Sequence, residues 1–272
     1  MSAPSQQTVL ITGASSGIGA ALAREFARGG WCVILVARRL EKLEVLAAEV
    51  RASGGKASVY QGDVTVDGSL AEVIQDLEGQ GITPGIVIAN AGFGVVGNAA
   101  RLRIEDYQRQ FDTNVFGVLR TLHETLPALE RTRGRFVIMG SVAGHLSASG
   151  SSAYTMSKFA VRALAESLHG DLDARGVGCT LISPGFVDSD IRRVDNQGTL
   201  HSRAKDPVPA WLRMRTDKAA RIMVRGILRG KREVFVTFHA RVMVFLSRIF
   251  PGLTRYLLLR SGRGSRPEPK RD

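Results

Sequence analysis

Short apolar runs alternate with longer segments in which apolar residues recur every three or four positions. The runs have the length and the Val/Ile/Leu content of buried strands, and the longer segments have the period of amphipathic helices. The predicted strands are 8–12, 31–37, 57–60, 86–89, 135–139, 177–182 and 233–236. The predicted helices are 18–28, 40–53, 69–80, 104–131 and a helix that runs to about 175.

Strands that alternate with helices in this way predict right-handed crossovers. We therefore expect an α/β fold: a doubly wound parallel sheet of about seven strands, with helices on both faces. The sequence shows no internal repeat or long linker, so residues 1–239 form one predicted domain. A loop at about 186–215 is expected to close over a ligand bound at the carboxyl ends of the strands. Residues 240–260 form a predicted amphipathic extension, and the Arg-, Pro- and Gly-rich residues 261–272 a disordered tail.

The composition, with 44% hydrophobic and 23% charged residues, is that of an ordinary globular protein. Two cysteines, Cys32 and Cys179, are too few for a disulfide framework, and neither belongs to a metal-binding motif. The first residues lack the basic and apolar segments of a secretory signal, so a cytoplasmic location is expected.

The net charge of +12 is unevenly distributed. Residues 201–272 contain 18 Lys/Arg and 5 Asp/Glu, whereas residues 1–200 contain 19 and 20. An anionic surface is therefore the expected partner of the C-terminal segment. Nucleic acid is not expected, because the basic residues lie on an apolar segment with few aromatic residues suited to base stacking.

The extension 240–260 has two interpretations. Its arginines recur every seven residues, at positions 241, 248 and 255, with bulky apolar residues between them. The longest uncharged stretch, 242–247, is far shorter than the ~20 residues that span a bilayer, and Pro251-Gly252 should end the helix. The helix either lies on an anionic membrane with its apolar side inward, or packs over the site or against another subunit.

A glycine motif, Gly-x-x-x-Gly-x-Gly, follows the first strand at residues 13–19. Glycines at a strand-to-helix turn let the backbone approach a pyrophosphate, which the helix N-terminus attracts. The second strand ends in Arg38 and Arg39, with no acid before Glu41. An acid there would bind ribose hydroxyls, whereas arginine accommodates a 2′-phosphate. We therefore predict NADP(H), with NAD(H) as the alternative if both arginines are merely solvated.

Tyr154 and Lys158 are four residues apart on a predicted helix, so they share one face. Ser141 follows the fifth strand. An ammonium beside a phenol favours the phenolate and lowers the pKa of the tyrosine, which would make it a proton donor or acceptor. Alone, the pair is more often a half-buried helix tyrosine and a solvated lysine, because Tyr-x-x-x-Lys is common in helices by chance.

Together these motifs resemble the short-chain dehydrogenase/reductase (SDR) family over residues 7–190. The matching residues are Thr12-Gly-x-x-x-Gly-x-Gly19, Asp63-Val64, Asn90-Ala-Gly92, Asn114, Ser141, Tyr154-x-x-x-Lys158 and Pro184-Gly185. Each motif is weak alone, but the ordered set is specific. The resemblance implies a Rossmann fold, a homodimer or homotetramer, and a hydride transfer that needs no metal.

The resemblance also implies residue roles. The catalytic set would be Asn114, which holds a water near Lys158; Ser141, which binds the substrate oxygen; Tyr154, the proton donor or acceptor; and Lys158, which lowers the pKa of Tyr154. The cofactor would contact Gly13, Ser15, Ser16, Gly17, Ile18, Gly19, Arg38, Arg39, Asp63, Val64, Asn90, Ala91, Gly92, Tyr154, Lys158, Pro184, Gly185, Val187 and Ser189.

Two features depart from the family pattern. Ser189 stands where the family has threonine, and Asp188 and Asp190 would place anions near the pyrophosphate unless they face solvent or the nearby Arg192 and Arg193. His145, four residues after Ser141, either lines the pocket or has no role in the chemistry.

The expected function is an NADP(H)-dependent interconversion of a ketone or aldehyde and an alcohol. The apolar C-terminal segment resembles that of SDR enzymes that act on lipids, steroids and ketosphingoid bases, which favours a hydrophobic substrate by analogy. The alternative is a non-catalytic, cofactor-sensing protein docked on a membrane or a protein partner.

Overall fold

The computed structural model describes residues 7–196, 199, 201, 205–254 and 256. Within them, seven strands form one parallel sheet in the order 3-2-1-4-5-6-7. The strands are β1 (Thr8–Thr12), β2 (Cys32–Ala37), β3 (Lys56–Gln61), β4 (Ile86–Ala89), β5 (Arg135–Met139), β6 (Gly178–Ser183) and β7 (Glu233–Phe235). The predicted doubly wound sheet is confirmed.

Helices cover both faces of the sheet, as the continuously apolar strands require. They are α1 (Gly17–Arg28), α2 (Leu40–Ala52), α3 (Ser69–Gly79), α4 (Ile104–Phe111), α5 (Gly117–Thr132), α6 (Ser152–Asp173), α7 (Thr216–Leu228) and α8 (Phe238–Ile249). Each face has its own apolar cluster: Phe26 of α1 belongs to one, and Leu129 of α5 to the other. The carboxyl ends of the strands are thus held at one edge by two cores.

The predicted helix 104–131 is two helices joined by a π-helical turn. The turn spans Asp112–Phe116, and the amide of Gly117 donates to the carbonyl of Asp112. A π-turn has one residue more than an α-turn, so apolar periodicity alone does not reveal it. Asn114 lies within this turn.

Helix α3 receives its N-terminal cap from another helix. The residue at its cap position is Gly68, which adopts a positive φ of 84° and has no side chain to offer. The carboxylate of Glu124, on α5, accepts hydrogen bonds from the amides of Gly68 (2.9 Å), Leu70 (2.7 Å) and Ala71 (2.9 Å). A negative charge is favourable at a helix N-terminus, so Glu124 joins α3 to α5.

The C-terminal helix α8 begins at Phe238, two residues before the predicted boundary at 239/240. It ends at Ile249, next to Pro251, where a helix stop was expected. The predicted tail 261–272, residues 255 and 257–260 of the extension, and residues 197, 198, 200 and 202–204 of the loop lie outside the described residues. None of the described helices is both long and apolar enough to cross a membrane.

Removing the shared cap should destabilise the fold. Glu124→Ala leaves three amides at the start of α3 without a charged acceptor, so we expect the free energy of unfolding to fall by about 2 kcal/mol. Glu130→Ala, on the same helix, is the matched control, because the carboxylate of Glu130 pairs with Arg175 at the surface. This variant should lower the free energy of unfolding by less than about 1 kcal/mol. Equal losses for the two variants in urea denaturation would contradict the assignment.

Candidate active site

Every site residue predicted from the sequence lies at the carboxyl edge of the sheet or on a helix that borders it. Gly13, Ser15 and Ser16 follow β1, and Gly17, Ile18 and Gly19 begin α1; Arg38 and Arg39 follow β2; Asp63 and Val64 follow β3; Asn90, Ala91 and Gly92 follow β4; Asn114 lies in the π-turn; Ser141 follows β5; Tyr154 and Lys158 lie in α6; Pro184, Gly185, Val187 and Ser189 follow β6. The structure places these residues together, while their chemical roles stay predictions.

A polar joint connects the ends of β1 and β4. The hydroxyl of Thr12 accepts hydrogen bonds from the amides of Asn90 (3.1 Å) and Ala91 (3.2 Å). The side-chain amide of Asn90 donates to the carbonyls of Thr12 (2.9 Å) and Gly13 (3.2 Å). Asn90 therefore fixes the glycine turn to the strand beside it.

The glycine turn is packed too closely for any other residue. Gly13 has a φ of 65°, and a Cβ there would lie 2.7 Å from the Cα of Ala91. A Cβ on Gly19 would lie 2.5 Å from the carbonyl oxygen of Gly13. Beside Gly17 and Ser189 the turn borders a cleft of about 340 Å³. The closely packed glycines and the half-buried backbone at the start of α1 have the form in which a helix N-terminus can hold a pyrophosphate.

Both arginines after β2 lie near the glycine turn. The guanidinium of Arg39 donates to the hydroxyls of Ser15 (2.9 Å) and Ser16 (3.2 Å). Arg38 is mostly exposed, 3.8 Å from the carboxylate of Asp63. Two cations and two hydroxyls therefore border one corner, and this donor set matches a phosphate group.

The proposed proton-transfer residues meet beside the end of β5. Lys158 is buried, and its ammonium donates to the carbonyl of Met139, the last residue of that strand, at 2.8 Å. The ammonium lies 5.8 Å from the ring centroid of Tyr154. The hydroxyl of Ser141, two residues after Met139, is near enough to the Tyr154 phenol to lower the pKa of that phenol. The backbone of Gly94 covers the other side of the phenol ring, since a Cβ there would lie 3.4 Å from it.

The pKa of Tyr154 is raised in this structure, because burial raises it against smaller lowering effects from the nearby Ser141 hydroxyl and the Arg192 charge. That Lys158 lowers this pKa stays a prediction. Burial also lowers the pKa of Lys158 to about 8. The physical reason is that both groups are taken out of water, and the lysine is directed to the Met139 carbonyl.

Asn114 holds the loop after β4 through its side chain. Its oxygen accepts from the amide of Phe93 (3.1 Å), and its nitrogen donates to the Phe93 carbonyl (3.1 Å) and to the Ser157 hydroxyl (3.1 Å). The predicted water near Lys158 stays a prediction. Gln110, which the sequence analysis missed, acts similarly: it accepts from the amide of Val95 (2.6 Å) and donates to Phe93 (2.9 Å).

The predicted loop at 186–215 is closed at its base and held at its middle. At the base, Met214 donates to the carbonyl of Phe186 (2.8 Å) and accepts from the amide of Asp188 (2.9 Å). In the middle, the side chain of Asn196 accepts from the amide of Val96 (3.0 Å) and donates to its carbonyl (2.8 Å). Asn196 thus ties the loop to the segment 93–96, in which Gly94 lies against Tyr154; that the loop covers the site stays a prediction.

Arginines neutralise the acids that depart from the family pattern. Asp188 pairs with Arg213 at 2.8 Å, and Asp190 pairs with Arg193. The expected neighbour Arg192 instead binds the buried Asp206 through its Nε at 2.8 Å and its terminal nitrogen at 2.7 Å. Burial raises the pKa of Asp206, but its bonds to Arg192 and the charge of Arg213 outweigh this and leave the pKa below the ordinary value.

His145 lies beneath the site. Its side chain is buried, its Nε2 lies 2.8 Å from the carboxylate of Glu233, and its ring packs against Phe235 at 5.3 Å. The hydroxyl of Ser183 donates to the same carboxylate at 2.6 Å. These contacts join the turn after β5 to β7, which favours the interpretation of His145 as a structural residue.

A family model described as short chain dehydrogenase matches residues 7–199. The chain belongs to this family. The serine 3-dehydrogenase of Agrobacterium fabrum is 36% identical over 193 residues, which cover 70% of this chain and 76% of that protein. The 11-beta-hydroxysteroid dehydrogenase-like 4A of Arabidopsis thaliana is 32% identical over 258 residues, which cover 91% and 82%.

A solved structure supports the same family and fold. The short-chain dehydrogenase from Sphingobium yanoikuyae in complex with NADPH superposes with a TM-score of 0.76 at 28% identity, over 96% of this chain and 98% of that one. The resemblance stated from the motifs is thereby confirmed. The relatives differ in the compounds for which they are named, so membership of the short-chain dehydrogenase family leaves the substrate to be inferred.

The buried lysine should make stability depend on pH. The pKa of Lys158 falls from 10.5 to about 8 on folding. Below pH 8 both states carry the proton, whereas between 8 and 10.5 only the unfolded chain does, so stability should rise with pH in that window. Between pH 8 and 10.5, we expect the free energy of unfolding of the native chain to rise by about 3 kcal/mol relative to that of Lys158→Met. Urea denaturation at a series of pH values measures this difference.

Lys42→Met, which replaces an exposed lysine on α2, controls for the substitution itself. A difference between native chain and Lys158→Met that is independent of pH would show that the folded chain does not depress this lysine.

Proposed function

We propose that this chain is an NADP(H)-dependent oxidoreductase that interconverts a ketone or aldehyde and an alcohol on a hydrophobic substrate. The observation that carries the proposal is the meeting of Ser141, Tyr154 and Lys158 at the end of β5, on the same edge of the sheet as the glycine turn after β1. A phenol, a hydroxyl and a buried ammonium at one strand end provide a proton donor and a site for a carbonyl oxygen. Membership of the short-chain dehydrogenase family supports the same reaction class.

In this proposal the nicotinamide supplies or accepts the hydride when it is bound. During reduction Ser141 donates a hydrogen bond to the carbonyl oxygen, and Tyr154 gives its proton to that oxygen as the alcohol forms. The raised pKa of Tyr154 keeps the phenol protonated at neutral pH, which suits this acid role. Oxidation needs the phenolate and is therefore favoured at higher pH.

The choice of NADP(H) rests on the corner formed by Ser15, Ser16, Arg38 and Arg39. A 2′-phosphate could accept hydrogen bonds from both hydroxyls and replace the contacts that Arg39 makes with them. Two arginines would also neutralise its charge. The NADPH complex of the Sphingobium yanoikuyae relative is consistent with this choice, and NAD(H) is the alternative.

The proposal of a hydrophobic substrate draws on the surroundings of Tyr154 and on the relatives. The segment that covers the phenol, 93–96, contains Phe93, Val95 and Val96 and carries no charge. The Arabidopsis relative named for a hydroxysteroid aligns over most of this chain. The relative named for serine aligns over less of it, so an amino-acid alcohol is the substrate class to test against.

Replacing the phenol should abolish turnover. In Tyr154→Phe we expect the rate of NADPH oxidation with apolar ketones to fall by about 10²–10⁴-fold while NADPH still binds, because the proton donor is lost and the ring is kept. Tyr60→Phe, on β3 and far from the site, is the matched control and should keep full activity. The panel should contain a steroid ketone, a long-chain aliphatic ketone and, in the oxidative direction with NADP⁺, L-serine.

Each outcome of that assay is informative. Turnover of L-serine alone would refute the hydrophobic substrate and leave the reaction class intact. Unchanged turnover in Tyr154→Phe would refute the assigned chemistry. Binding of NADPH without turnover of any carbonyl compound in the panel would favour the cofactor-sensing alternative.

The phosphate corner can be tested separately. We expect Arg38→Asp and Arg39→Ala each to weaken NADPH binding by about tenfold or more, since each removes a charge-assisted contact, while NADH binding changes little. Arg51→Ala, on the exposed side of α2, is the control. An unaltered NADPH/NADH affinity ratio in both variants, measured by titration calorimetry, would contradict the assignment.

A further inference from the structure

Helix α8 turns an apolar face to the outside of the protein. Phe238 is 82% exposed and Phe245 is 61% exposed. Val242, Leu246 and Ile249 are exposed as well, and the apolar residues Phe250 and Leu253 continue the surface beyond the helix. A surface helix normally shows polar residues to solvent and apolar residues to the core. A contiguous apolar face of this kind marks an interaction surface.

The helix is attached to the protein by its opposite side. Ala240 and Val244, one turn apart, are buried. With about 100° between successive residues, five of the six exposed apolar residues of α8 cluster opposite these two, and Met243 lies at one flank. Arg241 and Arg248, seven residues apart, share nearly one direction and lie at the flank between the two sides. The apolar face is therefore bordered by a row of positive charge.

The charged residues in and directly after α8 are positive. Between Glu233 and Glu268 the sequence contains six arginines and no acid. Within the described part of the chain, neither Arg241 nor Arg248 forms an ion pair. Elsewhere arginines are repeatedly paired, as Arg192 is with Asp206. The binding partner of α8 must therefore supply both apolar surface and negative charge.

We propose that α8 lies in the surface of a membrane that contains anionic phospholipids. Its apolar face would enter the boundary between headgroups and acyl chains, and Arg241 and Arg248 would meet lipid phosphates. A second copy of the chain fits less well, because a twofold contact through α8 would bring two sets of arginines together without an acid on the helix.

The membrane-bound helix would also lie against the site. A Cβ on Gly185 would contact Thr237, would come within 2.9 Å of Nε2 of His239, and would come within 3.0 Å of Cβ of Ala240. The ring of Phe186 stacks on that of His239 at 5.8 Å. Residues 185–186 begin the loop that is predicted to cover the site. If the proposed function holds, an apolar substrate could reach the loop from the lipid phase.

The test is sedimentation of the full chain with vesicles, without cofactor or substrate. Vesicles of phosphatidylcholine with 30% phosphatidylglycerol (about the anionic share of a bacterial or cytoplasmic leaflet) should bind the chain, and pure phosphatidylcholine should bind it weakly. We expect Arg241→Glu/Arg248→Glu to weaken binding by more than about tenfold. Phe245→Ser should weaken it by about tenfold.

Matched controls separate the surface from general effects. Lys42→Glu/Lys56→Glu makes the same change in net charge at exposed positions elsewhere, and Val45→Ser alters a residue that is 62% exposed; both should bind like the native chain. Thermal unfolding of each variant checks that it is folded.

Failure of the intact chain to sediment with anionic vesicles would overturn the proposal, as would native-like binding by Arg241→Glu/Arg248→Glu. Dissociation of an oligomer by Phe245→Ser, seen by analytical ultracentrifugation, would assign the face to a second copy instead. Because no turnover is measured, failure of the proposed activity would leave this result unaffected.

Discussion

A single hydrogen bond, from the buried ammonium of Lys158 to the carbonyl of Met139, sets the geometry of the site. It fixes helix α6 against the last residue of strand β5. Tyr154 lies one helical turn before Lys158, and Ser141 lies two residues after Met139. The contact between Lys158 and Met139 therefore also sets the positions of Tyr154 and Ser141. Burial makes the cation costly and lowers its pKa to about 8, and the strand-end carbonyl offsets part of this cost.

The remaining framework consists of side-chain amides that bind the backbone of loops. Asn90 holds the glycine turn, Asn114 and Gln110 hold the loop after β4, and Asn196 holds the loop at 186–215. An amide can donate and accept at once, so it can replace a missing strand partner. These amides thus give the irregular backbone at the edge of the sheet some of the hydrogen-bond partners that the strands find in one another.

The apolar pattern of the sequence predicts the sheet and most helix bounds, because a sheet covered by helices on both faces needs continuously apolar strands and helices with one apolar side. It does not predict the π-turn at Asp112–Phe116, since one extra residue hardly alters the period. Gln110 could have been found, because it lies four residues before Asn114 and so shares its face. The raised pKa of Tyr154 could not be predicted, because it depends on the burial of the phenol, which outweighs the opposing charge of Arg192, 38 positions away in sequence. The ion pairs of this loop could not be predicted either. Arg192, which is near Asp188 and Asp190 in sequence, binds Asp206 instead, and Asp188 is paired with Arg213.

Helix α8 shows the limit of periodicity in another way. Arginines every seven residues indicate one helical face, but they do not say whether that face or its neighbour packs on the protein. The structure gives the direction: the small residues Ala240 and Val244 face the sheet, and the bulky Phe238, Phe245 and Ile249 face outward. Small residues let the helix approach β7 and Gly185 closely, whereas large ones outside add apolar surface that water does not favour. The bulky apolar side chains of α8 therefore stay exposed to water unless a partner, such as the proposed membrane, buries them.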